Sequence, residues 1–250
     1  MNKSLKVISL FSGAGGMDIG FVNAGFELAI AVEQDPSCCN TLRKNRPNLT
    51  VLEGDISKIE TKEILSKGKL KPLEAALVVG GPPCQSFSLA GKRMGLEDSR
   101  GMLVLEFVRV VHESLPKAFV MENVKGMLNW EKGKAIDAIL NEFKEPIEFN
   151  GKKYQYNVTY EVLNAVNYGV PQERERLFLV GNRLEIDFKF PKPTHQSAKD
   201  SKKINLFDEQ LVPASSAWDA FGKLPPADEP SETAKRVSQS IKGRIEKHGY

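Results

Sequence analysis

The stretch that most constrains this chain covers residues 80–88 and reads Gly-Gly-Pro-Pro-Cys-Gln-Ser-Phe-Ser. It follows an apolar run, residues 75–79, that predicts a buried strand. Each proline fixes φ at about −65° and lacks a backbone N–H, so the strand must end in a stiff turn. We expect Cys84 at the tip of that turn, at the edge of an open α/β sheet where ligands bind. A cysteine in that position is placed to act as a nucleophile.

Three earlier segments end in the same way, with an apolar run followed by glycines or an acid. Residues 6–11 lead into a glycine loop at residues 12–16 and then a helical pattern at residues 17–24. The second run ends in Glu33 and the third reaches Asp55. Strand, glycine loop and helix open a doubly wound nucleotide-binding fold, in which an acid after the second strand binds ribose hydroxyls. Each feature alone is also explained as an ordinary loop or surface acid, but their convergence predicts a binding crevice.

A fifth predicted strand, residues 118–121, ends in Glu122, which places a carboxylate rather than an imidazole beside the cysteine. The three histidines lie in a helix or in a polar tail and in no motif, which disfavours Cys–His hydrolysis. Arg174 and Arg176 are two residues apart, so they can project from one face of an extended segment. Asp18 stands where a dinucleotide fingerprint requires its third glycine, which disfavours a nicotinamide oxidoreductase.

Composition supports one globular unit followed by a less regular segment. The 250 residues are 41% hydrophobic, carry a net charge of +3 and include three cysteines without metal-ligand or disulfide spacing. We therefore expect an α/β chain with a mostly parallel sheet and helices on both faces, without a bound metal. The N-terminus shows no signal region and no apolar run is long enough to span a bilayer, so we expect a cytoplasmic protein. We divide the chain into a catalytic and cofactor-binding domain, residues 1–190, and an extended tail, residues 191–250, that is rich in proline.

Four motifs give the chain a family resemblance. They are Phe-Ser-Gly-Ala-Gly-Gly at residues 11–16, Gly-Pro-Pro-Cys-Gln-Ser-Phe-Ser at 81–88, Glu-Asn-Val at 122–124 and Gln-Glu-Arg-Glu-Arg at 172–176. In this order and spacing they resemble the C5-cytosine DNA methyltransferases, over roughly residues 5–195. The resemblance implies a Rossmann-like methyltransferase fold that uses S-adenosylmethionine. It also implies attack of Cys84 on C6 of a flipped-out cytosine, with Glu122 at N3, Arg176 on the base and Arg174 nearby.

The resemblance also implies which residues hold the ligands. Cofactor contacts are expected from Phe11, Ser12, Gly13, Gly15, Gly16, Glu33, Gln34, Asp55, Ile56, Gly81, Pro83 and Leu103. The family often has an aromatic residue where this chain has Gln34, so the contact there is expected to be weaker. The polar segment at residues 89–101 resembles the family's mobile catalytic loop. Nucleic-acid contacts are expected from Gln85, Ser88, Lys92, Arg93 and Arg100.

The family's target-recognition domain, and the later segments that complete its cofactor pocket, have no counterpart in this sequence. We expect either a split enzyme, in which a second polypeptide supplies those parts, or a truncated product, and we favour the first. Double-stranded DNA is the expected substrate and restriction–modification the expected setting. A tRNA cytosine-5 methyltransferase and a non-catalytic accessory subunit are the alternatives that the sequence leaves open.

Overall fold

The structure is a computed structural model that describes residues 4–83, 102–196 and 211–221, together with residue 239. The strands in these ranges are β1 (Lys6–Leu10), β2 (Glu27–Glu33), β3 (Val51–Glu53), β4 (Leu77–Gly80), β5 (Ala118–Val124), β6 (Ile147–Phe149), β7 (Lys152–Tyr154), β8 (Asn157–Asn164), β9 (Glu175–Asn182), β10 (His195–Gln196) and β11 (Val212–Pro213). The α-helices are α1 (Gly16–Asn23), α2 (Pro36–Asn45), α3 (Thr61–Lys67), α4 (Met102–Ser114), α5 (Lys134–Lys144) and α6 (Ala217–Phe221). Short 3₁₀ segments cover Ile56–Lys58, Lys125–Gly133 and Ala165–Tyr168.

Seven strands form one sheet in the order β3-β2-β1-β4-β5-β9-β8. The first five are parallel to one another, and β9 runs antiparallel to both of its neighbours. This confirms the predicted mostly parallel α/β sheet. The carboxyl ends of β1, β2, β4 and β5 therefore lie at the same edge as the amino end of β9, and all the segments that carry the motifs meet there.

The two faces of the sheet carry cores of different size. On one face, α4 and α5 supply Phe107 and Phe143, and the ring of Phe143 stacks on Phe119 of β5 with 4.1 Å between centroids. On the other face, α1 lies over a smaller cluster that includes Val7 and Val79. Because side chains alternate along a strand, Glu122 of β5 projects toward the second face, the one that carries α1.

Local signals explain several boundaries. Asp35 caps α2 by accepting a hydrogen bond from Cys38 N at 2.9 Å, and Pro36 occupies the first helical position, where proline is favoured. The sequence did not predict α3 or the β6–β7 hairpin, which are too short for a clear periodicity. Residues 154–166 span the end of β7, all of β8 and the start of a 3₁₀ turn.

No helix in the described ranges combines the length and the apolar character needed to cross a bilayer. Over the same ranges, no group of three or more His, Cys, Asp or Glu side chains is arranged to hold a metal ion.

Candidate active site

Two adjoining cavities open at the sheet edge where the motifs meet. The first, here called the cofactor cleft, has a volume of about 210 Å³. It is lined by Phe11, Val32, Glu33, Gln34, Gly54, Ile56, Gly81, Pro83 and Leu103. The second, here called the reaction pocket, has a volume of about 590 Å³. It is lined by Phe11, Gly16, Met17, Gly81, Glu122, Leu163, Ala165, Tyr168, Arg174, Arg176 and Phe178. Phe11 and Gly81 line both cavities, so a ligand in one would lie beside a ligand in the other.

The cofactor cleft combines apolar walls with a carboxylate. Phe11, Ile56 and Leu103 supply the apolar surface, and Glu33 supplies the charge. Phe11 has φ of 52°, an uncommon conformation for a bulky residue, and it turns the chain sharply at the end of β1. An adenine ring requires apolar surface and a ribose requires a hydrogen-bond acceptor. The residues present therefore fit S-adenosylmethionine.

The carboxylate of Glu33 is held by backbone N–H groups. Its Oε2 accepts from Gly13 N at 2.7 Å, and its Oε1 accepts from Gln34 N and Asp35 N, both at 2.8 Å. A carboxylate has about four lone-pair positions, so these three bonds leave room for about one more donor. Glu33 thus joins the glycine loop to the end of β2 and retains capacity for a ligand hydroxyl.

A cluster of buried polar side chains contacts the glycine loop and holds it in place. Ser9 Oγ donates to Asp18 Oδ1 at 2.6 Å and lies 2.9 Å from Ser12 Oγ. Asp18 is buried, and this burial raises the pKa of its carboxyl group, while the bond from Ser9 opposes the shift. Gly15, at the start of α1, has φ of 86°, and a Cβ there would lie 2.9 Å from Leu42 Cδ2. The residue that argued against a dinucleotide fingerprint is thus part of the loop's support.

Glu122 and Arg176 meet in the reaction pocket. Arg176 Nε lies 2.8 Å from Glu122 Oε1, and the two side chains are only 24% and 23% exposed. In the β5–β9 register Glu122 lies opposite Phe178, and Arg176 lies opposite Val124. Glu122 and Arg176 are therefore diagonal neighbours on one face of the sheet. The charge-assisted hydrogen bond holds the carboxylate in a defined position.

The Gly-Pro-Pro turn that precedes Cys84 is held in place by contacts with β5. Asn123 is buried, and its Nδ2 donates to the carbonyl oxygen of Pro82 at 3.2 Å. A Cβ at Gly81 would lie 3.0 Å from Glu122 Oε2, so the turn passes directly against that carboxylate. The consecutive residues Glu122 and Asn123 thus contact the reaction pocket and the turn respectively. Several predicted site residues lie outside the described residues, namely Cys84, Gln85, Ser88, Lys92, Arg93 and Arg100.

Arg174 lines the reaction pocket and lies next to a 3₁₀ turn that is held by hydrogen bonds. Its backbone N donates to Asn164 Oδ1 at 2.9 Å. The neighbouring 3₁₀ turn is bound by the segment after β9, since Tyr168 Oη donates to the carbonyl of Pro191 at 2.9 Å and Thr194 N donates to Asn167 O at 2.9 Å. The predicted extended tail therefore begins with residues that pack beside the reaction pocket.

The structure brings most of the described predicted residues to these two cavities. Seven predicted cofactor residues line the cofactor cleft, namely Phe11, Glu33, Gln34, Ile56, Gly81, Pro83 and Leu103. Gly16 lines the reaction pocket instead, and Ser12, Gly13 and Gly15 shape the loop between the two. The Asp55 carboxylate caps the 3₁₀ turn by accepting from Ser57 N at 3.0 Å and Ser57 Oγ at 2.8 Å, and these bonds lower its pKa. Its contact with a cofactor stays a prediction.

Sequence reasoning missed several lining residues. They are Val32, Gly54, Met17, Leu163, Ala165, Tyr168 and Phe178. Phe178 follows Arg176 by two residues, so the strand period that paired the arginines could have identified it. Tyr168 lies in the 3₁₀ segment Ala165–Tyr168, outside all four motifs. The others reach the cavities through the packing of separate elements, which leaves no local pattern.

The order and directions of the strands are those of a Rossmann-like S-adenosylmethionine-dependent methyltransferase. A solved Escherichia coli structure, described as a DNA modification methyltransferase encoded within a prophage, matches with a TM-score of 0.68 and 29% identity. The match covers 90% of this chain and 56% of that chain. A Spodoptera frugiperda DNMT2 structure matches with a TM-score of 0.57 and 23% identity, over 76% of this chain and 53% of that chain. At that identity the second likeness shows the fold alone.

The chain belongs to the C-5 cytosine-specific DNA methylase family, whose sequence model matches residues 5–245. It is 64% identical to the Type II methyltransferase M.AquIA of Picosynechococcus over 245 residues, which are 98% of this chain and 99% of that protein. It is 40% identical to the Type II methyltransferase M.NgoPII of Neisseria gonorrhoeae over 82% of this chain and 55% of that protein. The chain thus spans nearly all of the first relative and about half of the second. Membership of this family does not favour the tRNA-methylating or accessory-subunit alternatives.

Proposed function

We propose that this chain is the catalytic part of a DNA (cytosine-5)-methyltransferase of a restriction–modification system. The observation that carries the proposal is the Glu122–Arg176 pair, which lies in a pocket that shares Phe11 and Gly81 with the cofactor cleft. The pocket adjoins the Gly-Pro-Pro turn that leads directly to Cys84. A flipped-out cytosine in the reaction pocket would therefore lie between the nucleophile, the carboxylate and the methyl donor. The reaction would take place in a prokaryotic cytoplasm, on the nucleoid DNA.

Cysteine addition solves the central chemical difficulty, because C5 of cytosine is a poor nucleophile. The Cys84 thiolate forms a bond to C6, and Glu122 holds N3 so that charge does not accumulate on the ring. Electron density from the C6 adduct makes C5 nucleophilic. S-adenosylmethionine held in the cofactor cleft would supply the methyl group, since its S–CH3 bond breaks as the C5–CH3 bond forms and S-adenosylhomocysteine is left. A base then removes the C5 proton, the Sγ–C6 bond breaks and Cys84 leaves as the thiolate. A free thiol has a pKa of about 8.5, so nearby cations that favour the anion assist the first step.

Arg176 and Arg174 are the cations available in the described part of the pocket. Arg176 bonds to Glu122, which fixes the carboxylate against N3, and its planar guanidinium also suits contact with a base. The target must leave the duplex because C6 is inaccessible in the base stack, and flipping costs about a few kcal/mol. Lys92, Arg93 and Arg100 are proposed to contact phosphates around the flipped nucleotide, and Gln85 and Ser88 to lie near the nucleotide itself.

The chemistry is tested with DNA that carries 5-fluorocytosine, which cannot lose its C5 substituent and so traps the adduct. With S-adenosylmethionine and the product of the adjacent open reading frame present, we expect a covalent complex with the unmodified protein, none with Cys84→Ser, and a strongly slowed one with Glu122→Gln. Cys38→Ser is the matched control, because Cys38 lies in α2 and lines neither cavity. An adduct that survives Cys84→Ser would exclude Cys84 as the nucleophile. Competition between duplex DNA and tRNA distinguishes the two nucleic-acid substrates.

We further propose that a second polypeptide supplies target recognition and completes the site. The relatives of greater length support this, since the chain spans only 55% of both M.NgoPII and M.FnuDI. The smaller core on the α1 face also supports it, because Met17, Phe21 and Val120 there are only partly buried. Val124 and Val170 near the reaction pocket are 39% and 45% exposed. Apolar surface beside a site is typical of an interaction region.

A labelled-methyl transfer assay tests this second proposal. The chain is assayed alone and with the product of the adjacent open reading frame, on DNA of mixed sequence. We expect weak or no transfer by the chain alone and sequence-specific transfer by the mixture. Full, sequence-specific activity of the isolated chain would refute the need for a partner.

A further inference from the structure

Two elements that are distant in sequence both line the cofactor cleft. Ile56 lies in the 3₁₀ turn after β3, and Leu103 lies in the first turn of α4. Neither the 3₁₀ turn nor the start of α4 belongs to the hydrogen-bonded sheet. Their relative position, and hence the width of the cleft, therefore depends in part on side-chain contacts between them.

Arg109 makes those contacts. Its Nη2 donates to the carbonyl oxygens of Ile56 and Ile59, each at 3.0 Å, and its Nη1 donates to Thr61 Oγ1 at 2.9 Å. Its Nε donates to Glu106 Oε2 at 2.7 Å, which keeps the guanidinium in place on α4. The arginine side chain is only 27% exposed. One residue of α4 thus binds both ends of the turn that carries Ile56 and the first residue of α3.

The geometry suits arginine and no other cation. The planar guanidinium presents five donors in a rigid fork, so it can bind two carbonyls, a hydroxyl and a carboxylate at once. A lysine would retain the positive charge but offers a single ammonium group on a flexible stem. Its three donors could serve at most three of these four acceptors. Loss of the fork would leave the turn free to move relative to α4.

We propose that Arg109 is a positioning residue that sets the width of the cofactor cleft by fixing the Ile56 turn to α4. It touches no ligand and acts through Ile56 and Leu103. The inference rests on the proposed function, because it takes S-adenosylmethionine as the occupant of the cleft. Arg109 lies on α4, outside all four sequence motifs.

The test compares Arg109→Lys with Arg183→Lys in the full chain. Arg183 is a matched control because it also donates to two backbone carbonyls, those of Pro116 at 2.9 Å and Leu115 at 3.1 Å. Those carbonyls follow the other end of α4, away from the cleft. We measure the unfolding midpoint, the affinity for S-adenosylhomocysteine by calorimetry, and hydrogen exchange of the amides at residues 54–60.

We expect comparable losses in unfolding midpoint for the two variants. Only Arg109→Lys should weaken S-adenosylhomocysteine binding, by about tenfold, which corresponds to about 1.4 kcal/mol. It alone should also speed exchange at residues 54–60. Thr61→Val removes one acceptor of Arg109 and keeps the side-chain shape, so it should weaken S-adenosylhomocysteine binding by a smaller factor. This variant replaces Arg109→Lys in the test if Arg109→Lys does not fold.

Two different failures are distinguishable. If the unmodified chain binds S-adenosylhomocysteine and both Arg109→Lys and Thr61→Val bind it equally well, the positioning role is refuted. If the unmodified chain binds no S-adenosylhomocysteine either alone or with the product of the adjacent open reading frame, the proposed cofactor site itself is refuted. Unchanged exchange at residues 54–60 in Arg109→Lys would then refute the positioning role of Arg109 as well.

Discussion

Adding one methyl group at each of two adjacent glycines should produce opposite outcomes. In Gly80→Ala the new Cβ would lie 2.5 Å from the carbonyl oxygen of Leu10, a backbone atom of the neighbouring strand. In Gly81→Ala it would lie 3.0 Å from Glu122 Oε2, the end of a side chain, and 3.7 Å from Glu122 O. The first contact can be relieved only by separating β1 from β4. The second is relieved when the carboxylate moves by a few tenths of an ångström.

These distances set the magnitudes. Overpacking of a core costs about 1–3 kcal/mol, and more where backbone must move, so Gly80→Ala should lose at least about 3 kcal/mol from a total stability of about 5–15 kcal/mol. Gly81→Ala should change stability by less than about 1 kcal/mol, because the strain is small and the substitution restricts the unfolded chain. It should however disturb the 2.8 Å bond between Glu122 and Arg176. A loss of about 2 kcal/mol at this charge-assisted bond would slow methyl transfer on the order of 30-fold.

Urea unfolding measures the first effect and single-turnover methyl transfer the second. Both variants are assayed with the proposed partner polypeptide present, so that activity is measurable. The reasoning is refuted if Gly80→Ala is as stable as the unmodified protein, or if Gly81→Ala transfers methyl groups at the full rate. Equal destabilisation by the two substitutions would also contradict it, because it would place the Gly81 contact on the backbone.

Two further predictions concern buried ionisable groups. Asp18→Asn should stabilise the protein by about 1 kcal/mol at pH 7, since burial raises the folded pKa of Asp18 and its Oδ2 has no partner among the described residues. A group whose pKa is raised in the folded state stabilises the protein below its unfolded pKa and ceases to do so as the pH rises. The difference in unfolding free energy between Asp18→Asn and the unmodified protein, measured by urea unfolding, should therefore shrink toward pH 3. An Asp18→Asn protein that is less stable than the unmodified protein at pH 7 would contradict this. Cys39, whose pKa burial raises to about 11, should be alkylated by iodoacetamide at pH 8 about two orders of magnitude more slowly in the folded protein than in urea. Mass spectrometry of the peptide that contains Cys39 measures this, and equal rates would show that the thiol is accessible.

The parts of the site that sequence predicts well are those encoded within a few residues. The glycine loop, the acid after β2 and the Gly-Pro-Pro turn each combine a strand with the residues that end it, so their location at one sheet edge follows from the parallel order of the strands. Six of the seven predicted residues in the cofactor cleft, all except Leu103, lie at or just after strand ends for this reason. Asp55 shows the limit, because its carboxylate is bound within its own turn by Ser57, and no pattern distinguishes a capping acid from a ligand-binding one.

The contacts between distant segments could not be predicted in the same way. Glu122 meets Arg176 only because β9 inserts antiparallel beside β5 in one register, and a shift of one residue would turn Arg176 to the opposite face. Asp18 looked like an exception to a fingerprint, and its bond with Ser9 appears only once α1 lies over β1. Arg109 belongs to an amphipathic helix, and its partners in the Ile56 turn and at Thr61 are about 50 residues away in sequence.

The sequence by itself determined the class of fold, the family and the identity of the chemical groups, because strand ends, glycine loops and the cysteine turn are local features of the chain. Only the tertiary structure decided how those groups face one another. It placed Phe11 and Gly81 between the two cavities, bound Glu122 to Arg176, and held the Ile56 turn to α4 through Arg109. The physical reason is that distances between side chains depend on strand register and helix packing, which arise from the whole core rather than from any one segment.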